Sequence, residues 1–213
     1  MAQPRRSTGR RPGPTQTREA ILAAAEAAFV EEGYAGATIR GVARAAGVDQ
    51  ALVLHYFESK DGLFAAALRT KPPLRALAEV AAQGDIHDLG ERLVRRYLGL
   101  WEDPVTSTRL LAIFRAASMS ASASAMVAEF IGEEVMAPLA EGIGSENAKV
   151  RATLAGSHLF GTSAARYVLR VEPLASLAGE CLAAILGPVI QHYLTGDLDH
   201  AQIGSPTARV GEG

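Results

Sequence analysis

The sequence has little of several things, and each shortage excludes something. A single cysteine, Cys181, cannot close an intramolecular disulfide, so a disulfide-built secreted scaffold is excluded and a reducing compartment is the simpler assumption. The N-terminus lacks the apolar stretch of a secretory signal. Its arginines and lack of acids leave an organellar transit peptide open, without an amphipathic pattern to support one. The most apolar stretch, residues 174–194, is interrupted by Glu180, Pro188, Gln191 and His192, and reads as a buried helix rather than a membrane span. The expected protein is soluble and cytoplasmic. HExxH, GxSxG and Walker A patterns are absent, so the residues point to no enzyme, metal or cofactor. Asp85, His87 and Asp88 could ligate a metal, but they sit at a helix start where Asp88 reads as an N-cap. Cys181, on an apolar helix, reads as a buried structural thiol rather than a nucleophile.

Net charge is also nearly absent: 21 Lys and Arg against 23 Asp and Glu give −2 over 213 residues. That excludes a globally basic nucleic-acid coat protein but conceals an uneven distribution. Residues 1–18 carry Arg5, Arg6, Arg10, Arg11 and Arg18 with no acid. Residues 19–64 carry Arg40, Arg44 and Lys60 against Glu19, Glu26, Glu31, Glu32, Asp49, Glu58 and Asp61, a local −4.

Alanine is abundant and alternating β-branched runs are nearly missing, so helical periodicity dominates and the fold class is all-α. Four domains are expected: a flexible basic arm over 1–16, a head over 17–68, a larger helical body over 69–196 and a flexible tail over 197–213. Predicted head helices begin near Thr17, Thr38, Asp49 and Ser59, the last three being capping residues. The body follows Pro72-Pro73, with helices predicted over 88–102, 106–117, 122–142, 147–170 and 174–194.

Within the head, Ile39 to Val53 has helix-turn-helix spacing. Ala43 supplies the small residue that two close helices need, and Gly47 tolerates the positive φ of a tight turn. Val42, Ala46, Val48 and Val53 face inward, which lets the second helix lie in a major groove with its first residues against base edges. Gln50 carries an amide able to bond adenine bidentately. Thr38, His55, Tyr56 and Lys60 surround that helix with donors suited to phosphate. An ordinary helical hairpin also carries Ala and Gly at such places, so spacing alone leaves both readings open.

The stretch from Thr17 to Leu68 resembles the DNA-binding domain of the TetR family of transcriptional regulators. The resemblance is carried by Arg18-Glu19-Ala20-Ile21-Leu22, Phe29, Gly33-Tyr34, Thr38-Ile39, Val42-Ala43, Ala46-Gly47-Val48 and His55 through Leu63. It implies a homodimeric, sequence-specific regulator, an expected repressor of a pseudo-palindromic operator released by a small-molecule inducer. Dimerisation would run through helices 147–170 and 174–194. By position, Gln50, Ala51 and Leu54 should face bases, while Thr38, His55, Tyr56 and Lys60 meet phosphates. The family usually has Tyr where Leu54 stands, which replaces a polar contact by one suited to a thymine methyl. It often has His where Tyr56 stands, although Tyr keeps a hydroxyl donor.

Trp101, Phe114, Met126 and Phe130 fall on three consecutive body helices. They are plain core, or the apolar lining of the inducer cavity that the resemblance implies. His158, Thr162 and Arg166, at i, i+4 and i+8, either pack at the subunit interface or line that cavity. A different class of function is a helical protein-binding module with a repurposed head, which the acidic segment 19–64 and Leu54 favour. The arm, through Arg5, Arg6, Arg10 and Arg11, is either a minor-groove and phosphate reader or a solubilising tail. Deleting residues 2–16 is expected to weaken operator binding and flatten its salt dependence, because fewer counterions are released. Unchanged affinity and slope in a salt titration would leave the arm as a tail.

Overall fold

The computed structural model describes residues 14–70, 73–81, 83–145 and 147–198; Arg5, Arg6, Arg10, Arg11 and the 197–213 tail beyond residue 198 lie outside them. Among the described residues all regular structure is helical, and no helix is long and apolar enough to cross a membrane. The chain forms two compact units. Among the described residues, one comprises 14–70 together with Ala112–Val127, and the other comprises those between 73 and 111 and between 128 and 198.

In the first unit, α1 (Pro14–Glu31) buries Ile21, Leu22, Ala25 and Phe29 at helical spacing. A single turn, α2 (Gly33–Gly36), leads to α3 (Ile39–Ala46), α4 (Gln50–Phe57) and α5 (Lys60–Arg69). Ile21, Val42, Val53 and Leu63 are at most 1% exposed. Each stabilises the unit by about 1.5–3 kcal/mol relative to its exposed state. Phe64 closes the other end, its ring edge-on to Phe29 at 5.0 Å and to Tyr34 at 4.9 Å.

The second unit holds α6 (Arg75–Ala81), a 3₁₀ turn at Ile86–Asp88 and α7 (Leu89–Glu102). Helices α8 (Pro104–Met119) and α9 (Ala121–Ile131) contribute residues to both units. A π turn at Gly132–Met136, α10 (Ala137–Ile143), α11 (Ala148–Ser163), a second π turn at Ala164–Val168 and α12 (Gly179–Thr195) complete it. The tightest pairing joins α7 to α12. A Cβ at Gly90 would stand 2.5 Å from both the Gly187 carbonyl oxygen and the Gln191 nitrogen. Gln191 exploits that approach: its Oε1 accepts from the Gly90 N–H at 2.7 Å, and its Nε2 donates to the Ile86 carbonyl at 2.8 Å. A side chain from α12 thus satisfies a first-turn donor of α7. The buried Arg151 of α11 does the converse for α12, donating to the Tyr193 and Gly196 carbonyls at 3.1 and 2.8 Å.

Six local expectations need correction. The first helix already begins at Pro14, inside the arm expected over 1–16. The helix predicted over 122–142 is interrupted by the π turn at Gly132–Met136. The helix predicted over 147–170 is α-helical only to Ser163 and then passes through the π turn. The helix predicted over 174–194 begins at Gly179. Residues before it turn instead, with the Glu172 carboxylate accepting from the Ser176 amide and hydroxyl and Arg166 donating to the Leu174 carbonyl. Asp88 occupies the N-cap position of α7 but makes no cap hydrogen bond, because its carboxylate pairs with Arg92 at 2.5 Å. Cys181 is exposed, since it falls on the outer stripe of α12 with Ile185 and Val189.

Substituting Gly90→Ala is expected to cost roughly 1–3 kcal/mol through overpacking at the α7–α12 crossing. Gly99→Ala, where a Cβ meets nothing within 4 Å, should be neutral or stabilising by about 0.5–1 kcal/mol through helix propensity. Denaturant unfolding of both variants measures the contrast, and equal effects would count against the crossing as the constraint.

Candidate nucleic-acid interface

The turn between α3 and α4 is built as the spacing predicts. Thr38 is the N-cap of α3, its Oγ1 accepting from the Gly41 amide at 3.0 Å, and Gly47 ends the helix in the left-handed region at φ 69°. Asp49 then caps α4, its carboxylate accepting from the Ala51 amide at 2.7 Å. Val42, Ala43, Val53 and Phe57 are buried beneath the crossing. That burial leaves Gln50, Ala51 and Leu54 exposed, and their i, i+1, i+4 spacing puts them on one side of the first turn of α4. Leu54 is 38% exposed, a large apolar side chain facing solvent beside an amide.

The expected phosphate donors are not all equally free. His55 is exposed, its ring 5.6 Å from that of Tyr56. The Tyr56 hydroxyl donates to the Pro14 carbonyl at 3.3 Å, so it also ties α4 to the start of α1. Lys60 donates to the Ala35 carbonyl at 3.2 Å and lies 4.7 Å over the Tyr34 ring, which occupies one of its three N–H donors. Two further cations were passed over in the sequence reading. Arg40 and Arg44 stand at i, i+4 on α3, both exposed, and neither has a carboxylate within salt-bridge distance among the described residues. Their helical spacing on the first helix of the motif was the available signal.

The acids of the head are spoken for in part. Asp49 is engaged as a cap, and Asp61 accepts from the Tyr34 hydroxyl and from the Ser122 hydroxyl, the latter at 2.5 Å. Those two hydroxyls, Ser122 first, hold the Asp61 carboxyl below its ordinary value of 3.8, while burial and then the Asp61 bond raise the Tyr34 phenol.

Comparison with known proteins agrees with this geometry. The family pattern described as "Bacterial regulatory proteins, tetR family" matches residues 21–67, and "Tetracyclin repressor-like, C-terminal domain" matches residues 87–194. The chain belongs to the TetR family. It is 35% identical over 91 residues to the HTH-type transcriptional repressor AcnR of Corynebacterium glutamicum, a match covering 43% of this chain and only 44% of AcnR. Over 183 residues it is 28% identical to the HTH-type transcriptional repressor BepR of Brucella suis biovar 1, covering 85% of this chain and 82% of BepR. A solved TetR-family regulator of Streptomyces coelicolor A3 is 35% identical, with a TM-score of 0.62, covering 87% of this chain and 98% of that one. SmeT, solved with triclosan, shares the fold at 19% identity and a TM-score of 0.61, covering 92% of this chain and 100% of SmeT. TetR-family proteins are transcriptional regulators, and as a member of the family this chain is a DNA-binding regulator.

In this TetR-family chain the residues expected to line an inducer cavity belong to both compact units. Phe114 and Met126 are half-buried in the first compact unit, whereas Trp101, Phe130, His158 and Thr162 belong to the second. Phe130 is fully buried, and the His158 ring packs 5.8 Å from Tyr193. Trp101 stacks flat on Tyr167, with centroids 5.1 Å apart and planes 1° from parallel. Tyr167 was not anticipated, because the π turn carries it out of the straight 3.6-residue register that the sequence implies. The same turn breaks the stripe expected of His158, Thr162 and Arg166. Tyr97 lies nearby, its hydroxyl donating to Ser163 Oγ at 2.8 Å while that oxygen donates to the Phe160 carbonyl. Burial, above all, raises the Tyr97 phenol above its ordinary 10.0.

The Asp61 carboxyl sets a pH dependence. Its folded-state value lies below that of the unfolded chain, so its contribution is present above about pH 4 and lost as pH falls through the folded value. Urea unfolding of the native chain against Asp61→Asn at stepped pH should therefore show a stability gap that closes in acid. A gap independent of pH would mean that the contribution of Asp61 does not depend on its ionisation.

Proposed function

We propose that this regulator is a homodimeric repressor that reads a pseudo-palindromic operator through α4 and is released by a small ligand. The observation that carries the reading is the exposed first turn of α4, held out by the Thr38 and Asp49 caps and the buried α3–α4 crossing. In this role Gln50 is the base-reading amide, Ala51 and Leu54 offer apolar contact to thymine methyls, and Thr38, His55, Tyr56 and Lys60 hold phosphates. Arg40 and Arg44, on the helix that crosses the backbone, join them. Such a protein acts in the cytoplasm alongside its operator.

Dimerisation is supported by apolar side chains left in the open on two long helices. Leu154 and Phe160 of α11 are 39% and 50% exposed, and Ile185 and Val189 of α12 are 59% and 38% exposed. Exposed large apolar side chains of this kind favour a protein partner over water, and a second copy offers the same side chains. Release by a ligand then follows from linkage: a compound that prefers a body conformation with mis-spaced heads lowers DNA affinity by that preference.

Selection of bound sequences from a random duplex pool tests the reading. The expected product is a sequence with two-fold symmetric half-sites, and an asymmetric consensus would refute the dimer. On the selected operator Gln50→Ala should cost about 1–3 kcal/mol while barely changing affinity for random duplex. Equal losses on both would remove Gln50 from base reading.

A further inference from the structure

We propose that the cleft between the end of α1 and α8 is a binding site for a small apolar zwitterion, of the class of an apolar α-amino acid. The site is independent of the ligand-released reading, since none of the residues expected to line an inducer cavity borders it. The chain leaves α1 at Glu31 and turns at Gly33, in the left-handed region at φ 72°. Helix α8 faces that turn with Ala112 and Ala116, small residues one turn apart that leave space beside them. The two walls border a cavity of about 260 Å³, and every residue lining it belongs to the first compact unit. Sites for drug-sized ligands run to roughly 300–1,000 Å³, so the occupant of this one is small.

Charged groups of both signs border this one cavity. Arg115 comes from the α8 wall, and Glu31 and Glu32 come from the end of α1. All three are exposed, and none has an ion-pair partner among the described residues. The two walls therefore do not neutralise each other across the gap. The last turn of α1 carries no basic side chain, although a helix C-terminus favours a cation there. That end adds to the preference of the two glutamates for an ammonium. The guanidinium of Arg115 matches a carboxylate, and such charge-assisted bonds are the strong ones. A ligand with a single charge leaves one wall unmatched, whereas a zwitterion satisfies both. Its apolar body then covers the buried Phe29 and Ala116 and the exposed Met119, whose unbranched thioether adapts to what it meets.

Calorimetric titration of the full chain with L-phenylalanine should give a saturable heat with a Kd in the millimolar range or tighter. The melting temperature should rise with its concentration, because a ligand held by the folded state alone stabilises it. Phenethylamine lacks the carboxylate and hydrocinnamate lacks the ammonium, and each should bind about tenfold more weakly. Arg115→Gln should weaken L-phenylalanine about tenfold while leaving phenethylamine unchanged. Glu31→Gln combined with Glu32→Gln should weaken L-phenylalanine while leaving hydrocinnamate unchanged. Without ligand these variants should melt with the native chain, since the side chains have no ion pair to lose, so a lost response reports the site and not the fold. No saturable heat from L-phenylalanine, single-charge analogues that bind as tightly, or an indifferent Arg115→Gln overturns the proposal.

Discussion

Helices α3 and α4 have eight residues each, and the exposed first turn of α4 depends on holding them crossed. Isolated helices shorter than about 12–15 residues are marginal in water. Neither would persist without the side chains that it buries against α1 and its partner. Val42, Ala43, Val53 and Phe57 supply that burial from below, while Thr38 and Asp49 satisfy first-turn donors from the ends. The same constraint produces the reading surface. Once Val53 and Phe57 face the core, the 3.6-residue turn leaves Gln50, Ala51 and Leu54 no direction but outward.

Charge enters as placement rather than as a total. The head is net acidic over 19–64, yet Asp49 is committed to a cap and Asp61 to two hydroxyls. Arg40 and Arg44 are left exposed on α3. A surface can therefore suit DNA locally while the chain carries a net −2. Over distances beyond about 8–10 Å at physiological salt, the remaining acids are largely screened.

The body is organised differently, by close backbone approach and by polar side chains that cross between helices. Gln191 and Arg151 each satisfy backbone groups at the end of a neighbouring helix, locking α7, α11 and α12 together. Arg151 nonetheless leaves its Nε buried without a partner, as Trp101 leaves its Nε1 and Arg166 its Nε. A buried donor without a partner costs on the order of 1–3 kcal/mol.

Local signals in this chain were readable from the sequence: the caps at Thr38, Asp49 and Ser59, the left-handed Gly47, the inward Val42 and Val53, and the helical class. Each depends on a residue and its neighbours within a turn or two, so the sequence by itself determined the head and its exposed first turn. It could not show that 174–178 leave the helix, that Asp88 abandons its cap for Arg92, or that Cys181 faces outward. Nor could it pair Trp101 with Tyr167, 66 positions apart in the chain and displaced by a π turn. Those outcomes were decided by tertiary structure alone, because they turn on which distant groups meet and which backbone donors a neighbouring helix has already satisfied.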